Sequence, residues 1–352
     1  MGQEILVTLF AISRAGTLPT TYRIDQNLRA PYLMESAVSL ETQLTKISTL
    51  KISYLNSRGS DQLLLNNINT PLPGTIIPPY YLNPTTGTRP FGDAAGNIYQ
   101  YESEGIFRQN QLFVQTTIRA GAKLMLFGYY MLNYANGDTS GAGSFPSNPY
   151  NILQDYGRAS FDIRNQATIG GSIALPCGLR LSPFMVASSG SPYNISLSQD
   201  LIGSSQFNQR PAFAGSLSNP TDVVTVPGFG SFDTVPQPGE KLVPVNFLTG
   251  PNRFTLNLRL TKTFGFGNEM GGQDGNAGRM RSGVNQRYRV TLSVNARNAF
   301  NHVNLATPSA VLSPPTATSP ASSSSFFGVS NALAGGSPSS NRQIYLQASF
   351  SF

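Results

Sequence analysis

The stretch that decides the fold reads Asn341-Arg342-Gln343-Ile344-Tyr345-Leu346-Gln347-Ala348-Ser349-Phe350-Ser351-Phe352. Successive side chains of a β-strand point to opposite faces, so alternating polarity indicates a strand with two unlike faces. The apolar face is formed by Ile344, Leu346, Ala348, Phe350 and Phe352. The other face carries glutamine and serine, together with Tyr345. Such a strand is typical of a transmembrane β-barrel, in which lipid contacts one face and a polar interior contacts the other.

Composition narrows the class of protein. The chain has 352 residues, of which 12% are charged, against about 25% in typical soluble domains. Glycine (34 residues) and proline (25 residues) are plentiful enough to supply many turns and loops. The sequence has no run of about 18 apolar residues, so a transmembrane helix is excluded. A barrel strand, by contrast, needs only about ten residues of alternating polarity.

Few residues could support catalysis or metal binding. Cys177 and His302 are the only cysteine and histidine, so we expect no internal disulfide, no metal site and no histidine-based triad. No pair of carboxylates and no nucleophile–base set stands out, and we predict neither an enzyme nor a cofactor. The formal charge is +7, but the 24 basic residues are scattered singly. A nucleic-acid partner is therefore not expected, because its footprint would be a basic stripe.

Alternating segments recur along the chain and predict about ten antiparallel strands in a meander. They lie at residues 34–44, 47–56, 106–136 (a hairpin with a turn at 120–122), 159–175, 179–189, 254–266, 287–297 and 341–352, with a further candidate at 4–13. The predicted fold class is all-β, an antiparallel transmembrane β-barrel. One strand is apolar on both faces, with Met125, Phe127, Tyr129 and Met131 opposite its leucines. We expect packing against that inner face.

The connections between these segments alternate in length. Long loops are predicted at residues 57–105, 190–250 and 302–340, and short strands around 60–68 and 97–104 are compatible with the first of them. Outer-membrane barrels place short turns on the periplasmic side and long loops outside, so this alternation favours them. The glycine-rich connection 267–284 is too long for a short turn, and Greek-key crossovers of a β-sandwich could imitate the pattern in part. We predict a single domain over residues 1–352.

Two sets of side chains are candidates for function. Five arginines are predicted on the polar face, where they could attract an anionic solute or a plug, or could pair with carboxylates on neighbouring strands: Arg164, Arg259, Arg287, Arg289 and Arg297. Tyr32, Tyr54, Tyr134 and Tyr345 are predicted near strand ends. That position suits the aromatic girdle of a membrane barrel, and ordinary β-propensity explains it nearly as well.

Several motifs resemble those of TonB-dependent outer-membrane transporters, in particular the Oar-like subgroup. The main one is Arg253-Phe254-Thr255-Leu256-Asn257-Leu258-Arg259-Leu260-Thr261-Lys262-Thr263-Phe264-Gly265-Phe266-Gly267, followed by Asn295-Ala296-Arg297-Asn298-Ala299-Phe300-Asn301-His302-Val303-Asn304. The others are Ser189-Gly190-Ser191-Pro192-Tyr193-Asn194, Asn56-Ser57-Arg58-Gly59 and Ala348-Ser349-Phe350-Ser351-Phe352. They occur in family order over most of the chain.

The resemblance implies a location and partners. Such transporters carry a signal peptide, a β-sandwich, a plug and a barrel of about 22 strands. We therefore expect a fragment: a partial barrel with long extracellular loops, in the outer membrane. Outer-membrane lipid would surround it, and the barrel-assembly machinery would read Ile344, Leu346, Ala348, Phe350 and Phe352. The TonB system would be a partner only if a plug lies upstream.

Three functions are compatible with the sequence. The first is the barrel portion of a TonB-dependent transporter for an unknown solute. The second is a structural or adhesive outer-membrane barrel whose long loops bind a surface partner. The third is a secreted soluble β-protein that binds carbohydrate. A requirement for detergent would separate the first two from the third, and a plug encoded upstream would separate the first from the second.

Overall fold

The computed structural model describes residues 19–269, 286–335 and 340–352. In chain order the strands are β1 (Thr20–Ile24), β2 (Tyr32–Thr45), β3 (Ser48–Asn67), β4 (Asn97–Ala120), β5 (Leu124–Gly137), β6 (Gly157–Arg158), β7 (Asn165–Ala174), β8 (Leu179–Ser188), β9 (Pro192–Tyr193), β10 (Ile195–Leu197), β11 (Ala212–Phe213), β12 (Val223–Val226), β13 (Gly230–Asp233), β14 (Leu248–Thr249), β15 (Arg253–Glu269), β16 (Gln286–Arg297), β17 (Ala310–Ser313), β18 (Ser322–Ser323) and β19 (Gln343–Ser351). Short 3-10 turns lie at Tyr80–Leu82, Asp93–Ala95, Ile152–Asp155 and Pro176–Gly178. No helix in the described ranges combines the length and apolarity needed to cross a membrane.

The large sheet has eleven strands and is mainly an antiparallel meander. Its path is β19-β16-β15-β8-β7-β5-β4-β3-β2, with β1 added parallel to β4 and β6 added to β5. Every pair along that path is antiparallel. Within the described chain β2 and β19 do not pair with each other, so the sheet is open rather than closed. The predicted all-β antiparallel meander is confirmed.

Connections alternate between the two ends of this sheet. Residues 46–47, 121–123 and 175–178 form short turns, whereas 68–96, 138–164, 189–252 and 298–342 form long loops. Because neighbouring strands are antiparallel, all the short turns lie at one end, which we call the turn end. The long loops lie at the opposite end, the loop end. The connection between β15 and β16 falls mostly outside the described residues, as does the strand predicted at 4–13.

The strands extend further toward the loop end than the sequence indicates. The predicted loop 57–105 is narrower than expected, because the candidate strands around 60–68 and 97–104 are present as the end of β3, at Asn67, and the start of β4, at Asn97. The β3–β4 register shifts between Gly59 and Gln62 and again between Gln62 and Leu64. These β-bulges absorb extra residues and break the two-residue period while the ladder continues. The strand predicted at 159–175 is shorter than expected, since β7 begins only at Asn165.

The long loops fold together into a cap, which we define as the described parts of residues 68–96, 138–164, 189–252 and 298–342. Loops 190–250 and 302–340, predicted to be irregular, supply three small sheets, β10-β17-β18, β11-β13-β12 and β9-β14. The strongest hydrophobic core lies here, formed by Ile195, Leu197, Val224, Val226, Phe232, Val243, Ala310, Leu312 and Phe327. The cap is therefore an ordered unit above the sheet rather than a set of independent loops.

Candidate functional site

The register of the large sheet creates a largely apolar face, on which Lys262 of β15 also lies, opposite Leu292 and Leu179 near the turn end. Directly opposed residues share a face in antiparallel pairs, and Val294 of β16 lies opposite Leu346 on one side and Leu260 on the other. Following the pairs across the sheet gives Val38, Leu40, Ile52, Tyr54, Leu112, Val114, Ile118, Leu124, Leu126, Leu132, Ile169, Ile173, Leu181, Met185, Leu256, Leu258, Leu260, Val290, Leu292, Val294, Leu346 and Phe350. The predicted set on β19 lies on this face. Its role as an assembly signal stays a prediction.

Burial on β16 is inverted relative to a soluble protein. On β16, Leu292 and Val294 are 47% and 41% exposed, whereas Ser293 and Asn295 are 3% and 8% exposed. Soluble proteins bury leucine and valine and leave most serine and asparagine in water. The inverse order indicates that the surroundings of the apolar face are themselves apolar.

Aromatic side chains border the apolar face at the turn end. Tyr288 stacks on Phe350 with ring centroids 6.1 Å apart, and Phe350 stacks on Phe352 at the same distance. Phe264 and Phe266 lie on the same face and are also exposed. Aromatic girdles of this kind mark the membrane–water boundary of outer-membrane barrels.

A second aromatic border lies toward the loop end. The Tyr54 hydroxyl donates to Asn110 Oδ1 at 2.7 Å, and the Tyr130 hydroxyl donates to Asn165 Oδ1 at 2.7 Å. Each tyrosine ring therefore lies beside apolar residues while its hydroxyl binds a polar side chain, as is typical of tyrosine at a membrane boundary. Phe254 and Phe300, stacked at 6.1 Å, continue this border.

The predicted tyrosine girdle needs two corrections. Tyr54 lies within β3 rather than at its end, because the strand continues toward the loop end as far as Asn67. Tyr345 lies on the polar face, opposite Asn295, and the Arg297 guanidinium lies 5.6 Å from its ring centroid. Tyr32 and Tyr134 occupy the apolar face near strand ends, as predicted.

Arginines on the polar face differ in their contacts. The Arg259 Nη2 atom donates to Ser293 Oγ at 3.4 Å. Arg164 precedes β7, contacts Asp162 at 2.8 Å and lies 3.7 Å from the Tyr134 ring centroid. In the described part of the chain it alone of the five arginines has a carboxylate partner, and that partner belongs to its own loop. Among the described side chains, Arg259, Arg287, Arg289 and Arg297 form no ion pair with a carboxylate on a neighbouring strand.

The apolar patch on the inner face of β5 is covered in part by its neighbours. Phe113 of β4 packs against Tyr129 with ring centroids 5.8 Å apart. Phe127 crosses Gly170 of β7 so closely that a Cβ atom there would lie 2.5 Å from its ring. Glycine is needed where a ring approaches the backbone this closely. Cross-strand aromatic packing thus accounts for part of the inward apolarity that the sequence indicated.

Asp162 anchors the cap to the sheet. It is fully buried and accepts hydrogen bonds from the Ala135 N–H (2.9 Å), Arg158 Nε (3.0 Å) and Arg164 Nη2 (2.8 Å). Such complete satisfaction is what makes a buried carboxylate tolerable. Asp162 lies 27 residues from Ala135 in the sequence. No local sequence pattern could therefore indicate this contact.

Further polar contacts connect the long loops to each other. Arg89 donates to the carbonyls of Asn69 (2.6 Å) and Gly203 (3.2 Å). The Tyr81 hydroxyl donates to the Pro315 carbonyl at 2.5 Å. Burial, with a smaller contribution from the charge of Asp222, raises the pKa of Tyr81 to about 12. The hydroxyl therefore remains a donor at all physiological pH values.

Asp200 organises one cap turn. Its carboxylate accepts hydrogen bonds from the backbone N–H groups of Ile202, Gly203, Ser204 and Ser205. Burial raises the pKa of Asp200, and these four N–H groups oppose that shift. Over the described ranges no group of three or more His, Cys, Asp or Glu side chains is placed to hold a metal ion. The candidate functional site therefore consists of the polar face of the sheet and the ordered cap.

Comparisons with known proteins agree with this architecture. A family model described as outer membrane beta barrel domain matches residues 7–345. The crystal structure of the outer membrane transporter YddB from Escherichia coli is similar with a TM-score of 0.50 and 12% identity, covering 95% of this chain and 34% of that one. The FrpB iron transporter from Neisseria meningitidis (F3-3 variant) has a TM-score of 0.43 and 9% identity, covering 93% and 32%. The chain thus spans about a third of each. No match was found among curated proteins.

Proposed function

Since this chain belongs to the outer membrane beta barrel domain family, we propose that it forms barrel strands of a TonB-dependent transporter that passes a solute across the outer membrane. One solved structure with a similar fold is described as an outer membrane transporter. The family places the chain in the outer membrane, so a secreted soluble carbohydrate-binding protein is no longer a candidate. Barrels of this kind are not enzymes.

The observation that carries the proposal is the contrast between the two faces of the sheet. An apolar face bordered by aromatics suits lipid, and a polar face that carries arginines suits a hydrated passage. Charged residues on the lipid face would each cost about 2–4 kcal/mol at the bilayer midplane. The four arginines on the polar face that lack an ion pair within the described chain favour a solute with negative charge or hydrogen-bond acceptors.

Strand direction supports a place within a larger barrel. β2 precedes a short turn and β19 follows a long loop, so both run from the loop end to the turn end. Direct pairing of these edges would be parallel, whereas single-chain outer-membrane barrels are antiparallel with an even number of strands. Antiparallel closure of the nine-strand path therefore needs an odd number of further strands. In an Oar-like transporter, which this chain resembles, further strands of the same barrel would supply them. Coupling to TonB belongs to the proposal only where a plug precedes the barrel.

A structural or adhesive barrel is the second candidate, favoured by exposed apolar side chains on the cap such as Leu153, Phe207 and Phe326. Cells lacking this gene can be compared with cells lacking TonB. We expect the same solute to remain in the growth medium of both. Unchanged uptake combined with loss of surface attachment would favour the adhesive barrel and contradict transport.

A further inference from the structure

A polar cavity lies where the loop end of β5 meets the cap. Its volume is about 220 Å³, and its walls come from three parts of the chain: residues 137–147, residues 155–160 and the cap segments around Asn194, Asn208 and Val245. Drug-sized ligands occupy about 300–1,000 Å³, so this cavity suits a single small ring. Nothing described above accounts for it.

Two residues that line this cavity, Asp138 and Asn208, each hold a buried acceptor atom without a hydrogen-bond partner in the described chain. Asp138 is only 7% exposed, and its Oδ1 accepts the Ile106 N–H at 2.8 Å. Asp138 Oδ2 and Asn208 Oδ1 are both buried, and neither has a hydrogen bond within the described chain. The Asn208 amide is fixed in this orientation because its Nδ2 donates to the Phe145 carbonyl at 2.8 Å. Both atoms accept hydrogen bonds, so a matching ligand must donate.

The charges around the cavity favour a neutral ligand. Arg158 and Arg210 line it, but Arg158 is paired with Asp162 at 3.0 Å and Arg210 with Asp155 at 2.6 Å. Asp138 has no cationic partner among the described ion pairs. Asp138, Asp155, Arg158 and Arg210 are the charged side chains that line the cavity, and their charges sum to zero. A neutral ligand therefore suits the cavity better than an ionised one.

A bare cation fits less well than a neutral hydroxylated molecule. Ca²⁺ needs about six to eight oxygen ligands, among them carboxylates, and of the two carboxylates that line the cavity Asp155 is already paired with Arg210. The wall also carries the hydroxyls of Thr139, Ser140, Ser144 and Ser160, which can both donate and accept. Phe145, held edge-on against Tyr99 at 4.8 Å, adds an apolar surface for the C–H groups of a ring.

We propose that this cavity binds one sugar ring, with hydroxyl groups of the sugar donating to Asp138 Oδ2 and Asn208 Oδ1. Binding would take place on the cap, at the loop end of the barrel. The proposal goes beyond transport, because occupancy of the cavity requires neither a plug nor energy coupling. The bound sugar could belong to a solute on its way to the barrel or to a surface glycan, since the recognised chemistry is the same.

The test is calorimetric titration of the full chain purified from the outer membrane. The detergent must be lauryldimethylamine oxide, since maltoside and glucoside detergents themselves carry sugar headgroups. Glucose, galactose, mannose and N-acetylglucosamine are titrated separately, and CaCl₂ in a fifth experiment. We expect saturable binding of at least one sugar. Asp138→Asn, which keeps the acceptor for Ile106 but replaces Oδ2 by a donor, should weaken it roughly tenfold or more.

The control is Asp61→Asn, which makes the same chemical change on β3, outside the cavity. It should bind the sugar as the unaltered protein does. Asp138→Asn should also melt no lower than the unaltered protein, which would show that weakened binding does not reflect unfolding. The proposal is overturned if no sugar binds, if Asp138→Asn binds as tightly as the unaltered chain, or if only CaCl₂ gives a saturable signal.

Discussion

Asp138 and Asp162 lie in the same long loop and are both buried, yet only Asp162 has cationic partners. Asp162 receives two arginines and a backbone N–H. Asp138 keeps one oxygen without a partner. Buried polar groups are normally satisfied, so the contrast separates a carboxylate that stabilises the cap from one that is available to a ligand.

Asp162→Ala should destabilise the cap by about 3–5 kcal/mol, because two arginines and a buried N–H would lose their acceptor. Asp93→Ala is the matched control, since Asp93 also pairs with an arginine four residues away but is 84% exposed. An exposed pair contributes only about 0–1 kcal/mol. Limited proteolysis within residues 138–164 measures the difference. Equal protection of the two variants would contradict the anchoring role of Asp162.

The stability of the cap should depend on the ionisation of Asp138. Burial raises the pKa of Asp138 in the folded protein, the Ile106 N–H opposes that shift, and the charge of Asp155 adds to it. A raised folded-state pKa means that the associated stability is complete below the unfolded value of about 3.9 and is lost as pH rises through the folded value. Asp138→Asn removes this pH dependence of stability, because an amide side chain does not titrate.

Melting of the two proteins between pH 4 and pH 8 should therefore diverge, with the variant gaining relative stability as pH rises. Other titrating groups are common to both proteins and cancel in the difference. A difference in melting temperature that is constant over this range would contradict the assignment.

At the scale of single elements, each strand of the meander has one face for lipid and one for the interior. Ala348 and Ser349 are neighbours near the middle of β19, both exposed and both small, and they lie on opposite faces. Ala348→Arg should cost about 2–4 kcal/mol in the bilayer, whereas Ser349→Arg should cost little because it faces the polar side. The amount of heat-modifiable protein in the outer membrane measures the difference. Equal loss for both substitutions would show that the faces are not distinguished.

The end of β19 offers a separate prediction about assembly. Phe352 stacks on Phe350, which in turn stacks on Tyr288 of β16. Deleting Phe352 removes the last aromatic of this row, and the resemblance to barrel transporters implies that the assembly machinery reads it. We expect lower insertion into the outer membrane, measured by fractionation of cells. Deletion that leaves insertion at the normal level would argue against this role.

The strands were predictable where one face is apolar and the other polar. β16 alternates without interruption, and its bounds fall within one residue of the prediction. The upper half of β3 was indicated only as a separate short strand around 60–68, because Leu63, Leu64 and Leu65 are consecutive and a bulge precedes them. The small sheets of the cap were missed because strands of two to four residues are too short to show a period.

In the whole molecule, the sheet and the cap are adapted to different surroundings, lipid for the apolar face of the sheet and water for the cap. Strand β16 exposes its leucine and valine side chains and buries serine and asparagine, whereas the cap has a conventional apolar core. Contacts between residues far apart in sequence, such as Tyr81 with Pro315 and Arg89 with Gly203, hold the cap together. The sugar cavity depends on the same long-range contacts, which no local pattern reveals. The sequence could therefore predict the sheet but not the cavity.

The central claim is that the apolar face of the sheet contacts lipid. Cys177 is the only cysteine, so Cys177→Ser gives a background in which single cysteines can be introduced and labelled with a fluorophore. Labels at 290–295 on β16 and 344–349 on β19 are compared in membranes for quenching by nitroxide lipids and by aqueous iodide. We predict that lipids quench the even positions and iodide the odd positions on both strands. Quenching without this alternation, or by iodide at every position, would contradict the account.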